Sequence, residues 1–244
     1  MKTCIYEPEK ECIGILGGMG SYATLNFFKQ ILDAFPAEKE WGRPRILIDN
    51  RCSMPSRVRA ILYDENRKEL ISDMSDSVKM LIKNGASYIV FDCNTSHVFI
   101  DDVYERVPEA KGKIVNIIEE TAKQVELIGA KDVYLLATEG TIETKIFSKY
   151  FESRKINIVY PEEADFEVMR RFIESVKQNK ITKDIIREFG DYITSVPTEV
   201  VILGCTELPI LYSKCSSLVK GKKKYIDPLD CAILEIKRRM NYQC

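Results

Sequence analysis

The chain has 244 residues, 45% of them apolar and 30% charged, with a net charge of −1. That composition fills a sizeable core, as one large or two small domains. The near-zero charge excludes a global electrostatic pull toward nucleic acid or anionic membrane, and no stretch reaches the ~18 uninterrupted apolar residues of a membrane span.

The segment Met1 to Glu11 is charged and carries no apolar leader, which points to a cytoplasmic setting. Eight cysteines are present without a C-x-x-C pair, and His97 is the one histidine. Reduced thiols are expected rather than a disulfide framework. Cys93 and His97 are too few ligands for a zinc site, so no metal is expected. The basic run Lys220–Lys224 reads as a solvated loop.

Cys12–Leu16 is an apolar run ending at Gly17-Gly18-Met19-Gly20, and Ser21 opens a helix to about Asp33. Arg45–Asp49 reads as the second strand, and the loop Asn50 to Arg57 follows it. Leu70, Ile71, Met74, Val78, Leu81 and Ile82 form a helical stripe, which Asn84-Gly85 ends. Tyr88–Asp92 is the third strand, and a helix after Cys93 runs to about Arg106.

Lys113–Val115 is a short strand before an amphipathic stripe from Ile117 to Ile128. Val133–Leu136 is a strand followed by a polar turn, Ala137 to Thr141. Ile156–Tyr160 is a strand, two helices fall near 163–179 and 182–195, and Val200–Leu203 is another strand. Residues 225–228 make a short return strand before a terminal helix. Strands alternating with helices predict α/β architecture with parallel sheets.

The halves resemble each other. Ile15 to Thr24 aligns with Leu135 to Thr144; Leu16 precedes Cys93 by 77 residues and Leu136 precedes Cys205 by 69. Each half runs strand, polar turn, helix, and later a strand ending in cysteine. A duplicated unit follows: two pseudo-symmetric parallel-sheet domains with the active site in the cleft between them. The first is expected to span 1–112, completed by 216–244, and the second 113–215.

Tyr88-Ile-Val-Phe-Asp-Cys93 and Val200-Val-Ile-Leu-Gly-Cys205 each deliver a thiol to the carboxyl edge of a sheet, where open α/β folds bind ligands. Two thiols on opposite faces of an α-carbon suit racemisation, one removing a proton and the other returning one. A thiol pKa of about 8.5 is close enough to neutrality for either task. Helix N-termini after each cysteine are expected to favour the thiolate, and the pattern leaves open which thiol is ionised at rest. Cys4, Cys12, Cys215, Cys231 and Cys244 read as core cysteines, and Cys52 as non-catalytic.

Gly17-Gly18-Met19-Gly20, Cys93-Asn94-Thr95-Ser96-His97, Leu136 to Thr141 and Gly204-Cys205-Thr206-Glu207 resemble, in order and over almost the whole chain, the motifs of the aspartate/glutamate racemase family. The resemblance implies a cofactor-independent isomerase, commonly a homodimer, acting on a small dicarboxylic amino acid. It assigns catalysis to Cys93 and Cys205. It also matches Pro55-Ser56-Arg57 to a loop whose arginine holds a substrate carboxylate, and Lys177 to a second carboxylate partner. By pattern alone, Arg57 and Lys177 read as surface charges. Met19, Asn94 and Thr95 match substrate-lining positions, and Thr138, Thr141 and Thr206 are further candidates.

Ser56 replaces the family's usual acid, Ser21 its proline, and Thr144-Lys145 its Ser-Gly. These departures put the substrate side chain in question: aspartate comes first, glutamate second, another amino acid third. Three rival readings stand beside this one. Gly18-Met19-Gly20-Ser21-Tyr22-Ala23, with Asp49 ending the next strand, satisfies a dinucleotide fingerprint. A maleate-isomerase-like or decarboxylase-like reaction would use one cysteine covalently. A non-catalytic amino-acid sensor would need the carboxylate clamps but not both thiols.

Overall fold

The computed structural model describes residues 10–219 and 221–242; Cys4, Cys244 and Lys220 lie outside them. Two four-stranded sheets, parallel throughout, are flanked by helices. The first contains β1 (Cys12–Gly17), β2 (Arg45–Asn50), β3 (Tyr88–Phe91) and β4 (Ile114–Val115), in the order β2-β1-β3-β4. The second contains β5 (Asp132–Leu136), β6 (Asn157–Val159), β7 (Val200–Leu203) and β8 (Lys224–Ile226), in the matching order β6-β5-β7-β8.

The duplication extends to register. Leu16 on β1 pairs with Phe91 on β3, and Leu136 on β5 pairs with Leu203 on β7. Each cysteine follows its paired strand residue by two positions. The repeated spacing in the sequence is therefore a repeated place at the carboxyl edge of two equivalent sheets.

Period-two alternation divides each sheet between two cores. Ile13, Ile15 and Val90 of the first sheet, with Val133, Leu135, Val200 and Ile202 of the second, join one central cluster. Phe27 and Ile31 of α1 (Ser21–Ala34), Ala122 and Val125 of α5 (Ile117–Leu127), and Leu229 and Ile233 of α11 (Pro228–Arg239) complete it. On the outer side of the first sheet, Leu16 and Phe91 pack on Met74 and Val78 of α3 (Arg67–Lys83). On the outer side of the second, Leu136 and Leu203 pack on Phe172 and Phe189, from α8 (Phe166–Lys177) and α9 (Lys183–Ser195).

The sheets divide the chain later than the expected boundary at 112/113, because Ile114 and Val115 pair with β3. The segment 216–244 is split as well. β8 pairs with β7 in the second sheet, whereas α11 packs against α5, α1 and β4. Asp227 caps α11 by accepting from the Leu229 N–H.

Two short helices depart from the expected loops. α2 (Arg57–Leu62) begins in the loop after β2, where the Ser56 hydroxyl accepts from the Arg59 N–H. α6 (Glu139–Glu143) occupies most of the expected polar turn after β5. The two touch across the cleft, where a Cβ on Gly140 would lie 3.3 Å from Val58 Cα. The expected helix after Cys93 is a 3₁₀ segment, Thr95–Phe99, leading into α4 (Ile100–Arg106). The segment between α6 and β6 carries α7 (Ser148–Phe151), and α10 (Leu208–Cys215) follows β7.

Cys12, Cys215 and Cys231 are buried and Cys52 is exposed. Of the basic run, Lys223 donates to the carbonyls of Val196 and Thr198 and Lys224 opens β8, so it is less solvated than a free loop. Among the described residues no helix is long and apolar enough to cross a membrane.

Candidate active site

The carboxyl ends of the two sheets meet at a cavity of about 50 Å³, and both Cys93 and Cys205 line it. Met19, Arg57, Asn94, Thr95, Thr138, Lys177 and Thr206 share its wall, as do Ser56, Val58, Gly204 and Glu207. Nine of the ten site residues expected from sequence therefore converge. Thr141 does not line the cavity: it is buried behind the wall, bonded to the Thr95 hydroxyl at 2.8 Å and the Thr138 hydroxyl at 3.1 Å. Thr95 and Thr138 are 3.0 Å apart, so the three hydroxyls pin β3's loop to β5's loop. Thr206 adds a longer contact, 3.5 Å from the Asp92 carbonyl.

Cys205 is buried, and its thiol donates to Glu207 Oε2 at 2.9 Å. Burial, and then the Glu207 charge, raise its pKa well above the ordinary thiol value, against the opposing pull of Lys177. This corrects the expectation that a following helix terminus would favour its thiolate: desolvation and a carboxylate in contact outweigh the dipole of α10, which starts three residues on at Leu208. Burial and the Glu207 contact both favour the thiol of Cys205 over its thiolate.

Cys93 is half-buried, and its loop is anchored by His97. The His97 Nε2 accepts from the Ile117 N–H at 3.3 Å, so Nδ1 carries the proton and donates to the Cys93 carbonyl at 2.9 Å. Burial lowers the imidazole pKa to about 4. His97 thus joins the cysteine loop to the start of α5 as a neutral ring, with both nitrogens turned to the backbone.

The cations are oriented toward the cavity. Arg57 Nη1 donates to the Pro55 carbonyl at 3.0 Å and Nη2 to the Met19 carbonyl at 2.9 Å. Each terminal nitrogen keeps a second N–H, and the buried Nε–H has no partner. No carboxylate lies within ion-pair distance of Arg57 among the described residues. Lys177 meets one acid loosely, Glu174 at 3.9 Å, with 32% of its side chain exposed. Burial works against its charge, but the field of Glu207, with those of Glu174 and of the site cysteines when ionised, prevails and raises its pKa.

Asn94 is 1% exposed, and neither its amide oxygen nor its nitrogen has a hydrogen-bond partner. Buried amides are normally satisfied, so this one is shaped for a ligand bearing both donors and acceptors. Beneath the cysteine loop, Asp92 is fully buried; burial raises its carboxyl pKa well above the usual range, and the Glu207 and Asp227 charges add to that.

Glu207, in contact with a thiol and 2% exposed, is the functional candidate that sequence reasoning passed over. Its signal was present in the tripeptide Cys205-Thr206-Glu207. The glycines of the first loop serve close approaches within the protein. A Cβ on Gly18, whose φ is +81°, would collide with the Arg51 backbone, and one on Gly20 would collide with Glu207 Oε1. A carboxylate packed on Gly20 repels phosphate, which weighs against the dinucleotide reading.

A sequence model described as Asp/Glu/Hydantoin racemase matches residues 16–236. The broad specificity amino-acid racemase RacX of Bacillus subtilis (strain 168) is 28% identical over 205 residues, covering 80% of this chain and 85% of that protein. The glutamate racemase of Lactobacillus johnsonii is 25% identical over 222 residues, covering 89% and 76%. Among solved structures, Picrophilus torridus aspartate racemase superposes with a TM-score of 0.79 at 24% identity, covering 96% of this chain and 95% of that one.

Proposed function

The chain belongs to the Asp/Glu/hydantoin racemase family, and we propose that it is a cofactor-independent racemase that interconverts L- and D-aspartate or glutamate by two-base proton transfer. The observation that carries this reading is the pair Cys93 and Cys205, placed at equivalent strand ends and lining one cavity with Arg57, Asn94 and Lys177. The related racemases make the reaction class the natural one for such a site. A homodimeric assembly and a cytoplasmic setting belong to the same proposal.

Arg57 receives one substrate carboxylate on its free N–H groups, a charge-assisted contact. The Asn94 amide, unpaired at both its oxygen and its nitrogen, accepts from the α-amino group and donates to a carboxylate. Cys93 as thiolate removes the α-proton from one face, and the Cys205 thiol delivers its proton to the other. The products are the opposite enantiomer, a Cys93 thiol and a Cys205 thiolate; the reverse reaction starts there. Lys177 offsets the negative charge that spreads from the α-carbon into the carboxylate in the transition state. Deprotonated Cys205 sits beside Glu207, an unfavourable state that favours return of the proton.

The testing experiment is proton NMR of L-aspartate and L-glutamate, separately, with reduced protein in D₂O and no added cofactor. Loss of the α-proton signal with formation of the D-enantiomer supports the reading. A substrate-sized adduct on Cys93 without D-enantiomer points instead to covalent chemistry. Tight binding without exchange points to a sensor.

A further inference from the structure

The thiol cavity adjoins a second, larger chamber of about 190 Å³, and the two share Ser56, Val58, Thr138 and Lys177 in their linings. One helix lines the chamber from end to end. Phe166, Met169, Arg170, Ile173, Glu174 and Lys177 of α8 recur at helical spacing and present one face to it. At about 1.5 Å of rise per residue, the line from Lys177 to Phe166 is about 16 Å long. Lys177 stands at the junction, and the rest of the face leads away from the thiols.

The chemistry changes along that line. Lys177 at the junction is the last cation without a tight acid partner; Arg170 is ion-paired to Glu139. Glu139 and Glu174 are the acids that remain. A dicarboxylate finds both its cations, Arg57 and Lys177, at the junction, and a carboxylate pushed further in meets Arg170 already paired to Glu139 and the acid Glu174. Apart from Arg170 and the two acids, the face is largely hydrocarbon and thioether: Phe166, the buried Met169 and Ile173, and Val58 of α2. This space is redundant for aspartate and suited to a longer, uncharged side chain.

We propose that the same two-thiol site also racemises amino acids with medium-length apolar or thioether side chains, methionine and leucine being the probes, and that the side chain lies in the α8 chamber. The inference rests on the racemase reading above. The proton chemistry is unchanged: Cys93 and Cys205 exchange the α-proton, and the side chain alone differs. Selection follows shape and burial, for which a single methylene changes kcat/KM by about tenfold or more.

The test measures α-proton exchange in D₂O for L-methionine, L-leucine and L-aspartate with the wild-type protein, Phe166→Asp and Met169→Phe. Phe166 is half-buried at the outer end, so its replacement leaves the core intact, while Met169→Phe narrows the chamber from inside. The expected result is methionine and leucine exchange by the wild type that falls about tenfold or more in both variants, with aspartate exchange unchanged. Aspartate exchange without methionine or leucine exchange overturns the proposal and leaves the racemase reading standing. No exchange with any of the three overturns the racemase reading itself. Methionine exchange that neither variant reduces overturns the assignment of the chamber.

Discussion

Glu207 rests against Gly20 so closely that its Oε1 occupies the space of the missing side chain. The backbone at Gly20 is extended, with φ of 170°, so any residue could adopt it; proximity to Glu207 requires the glycine. The first loop of one half thereby sets the position of the carboxylate that holds the other half's thiol. Gly20→Ala is expected to fold, because the Glu207 side chain can move aside, and to lose the 2.9 Å contact with Cys205. Steady-state rates beside a thermal melt check this: kcat falls while Tm stays near that of the wild type.

Glu207→Gln removes the charge that helps raise the Cys205 pKa. The sign follows directly. A lower Cys205 pKa means the thiol form is lost at lower pH, so the alkaline limb of the rate profile for the direction in which Cys205 donates moves to lower pH. A profile superimposable on the wild type would remove Glu207 from the electrostatics of the site. Gly20→Ala should shift the limb the same way.

Lys177→Met should shift it the other way. Lys177 lowers the Cys205 pKa, so without it the limb moves to higher pH. The loss of a cation near the developing carbanion also lowers kcat by about 10²-fold or more. Opposite displacements in the two variants would separate electrostatic tuning from general damage to the cleft.

Cys93→Ala and Cys205→Ala should each reduce racemisation by about 10²- to 10⁴-fold, the range expected when one acid–base group is lost. Chiral chromatography of product, after both variants are shown to bind substrate by calorimetry, decides the matter. Near wild-type turnover by either variant would remove that cysteine from the two-base scheme.

Asp227 makes stability depend on pH. Burial, with the Asp230 charge, pushes its carboxyl up to about 7, and Gln30 donates to both acids, at 2.7 Å and 3.1 Å. A raised carboxyl pKa means the folded state holds a proton that the unfolded chain, titrating near 3.8, has released. The associated stability is full below about pH 4 and is lost as pH rises toward 7, at up to about 1.4 kcal/mol per pH unit. Asp227→Asn keeps an acceptor for the Leu229 N–H and abolishes this term. Denaturant melts of the two proteins from pH 4 to 8 should show the variant gaining on the wild type as pH rises.

Much of this was legible in the sequence because each message was local. The apolar runs at 12–16, 88–91 and 200–203 are strands buried on both faces, and the stripe from Leu70 to Ile82 is a buried helix face; each signals itself within a dozen residues. The thiols were legible because polar residues follow them directly. The helices α2 and α6 were not, because neither has a stripe long enough to read; they hold by packing on each other at Val58 and Gly140. β4 has two residues, and only its pairing with β3 assigns it to the first sheet. The closeness of Glu207 to Cys205 is written in the tripeptide they share, but its packing on Gly20 and the bond of Thr141 to Thr95 depend on which distant partner the fold brings near, and no spacing rule contains that.

The central cluster has a consequence for how the molecule comes apart. It draws strands from both sheets together with α1, α5 and α11, so neither half possesses a complete interior. Severing the chain between β4 and β5 would leave two fragments exposing the apolar faces they had turned to each other, and the expected melt of the intact protein is a single cooperative transition. The cleft that holds the thiols is thus a seam within one folding unit, and a substrate bound there raises the free energy of unfolding for both halves at once.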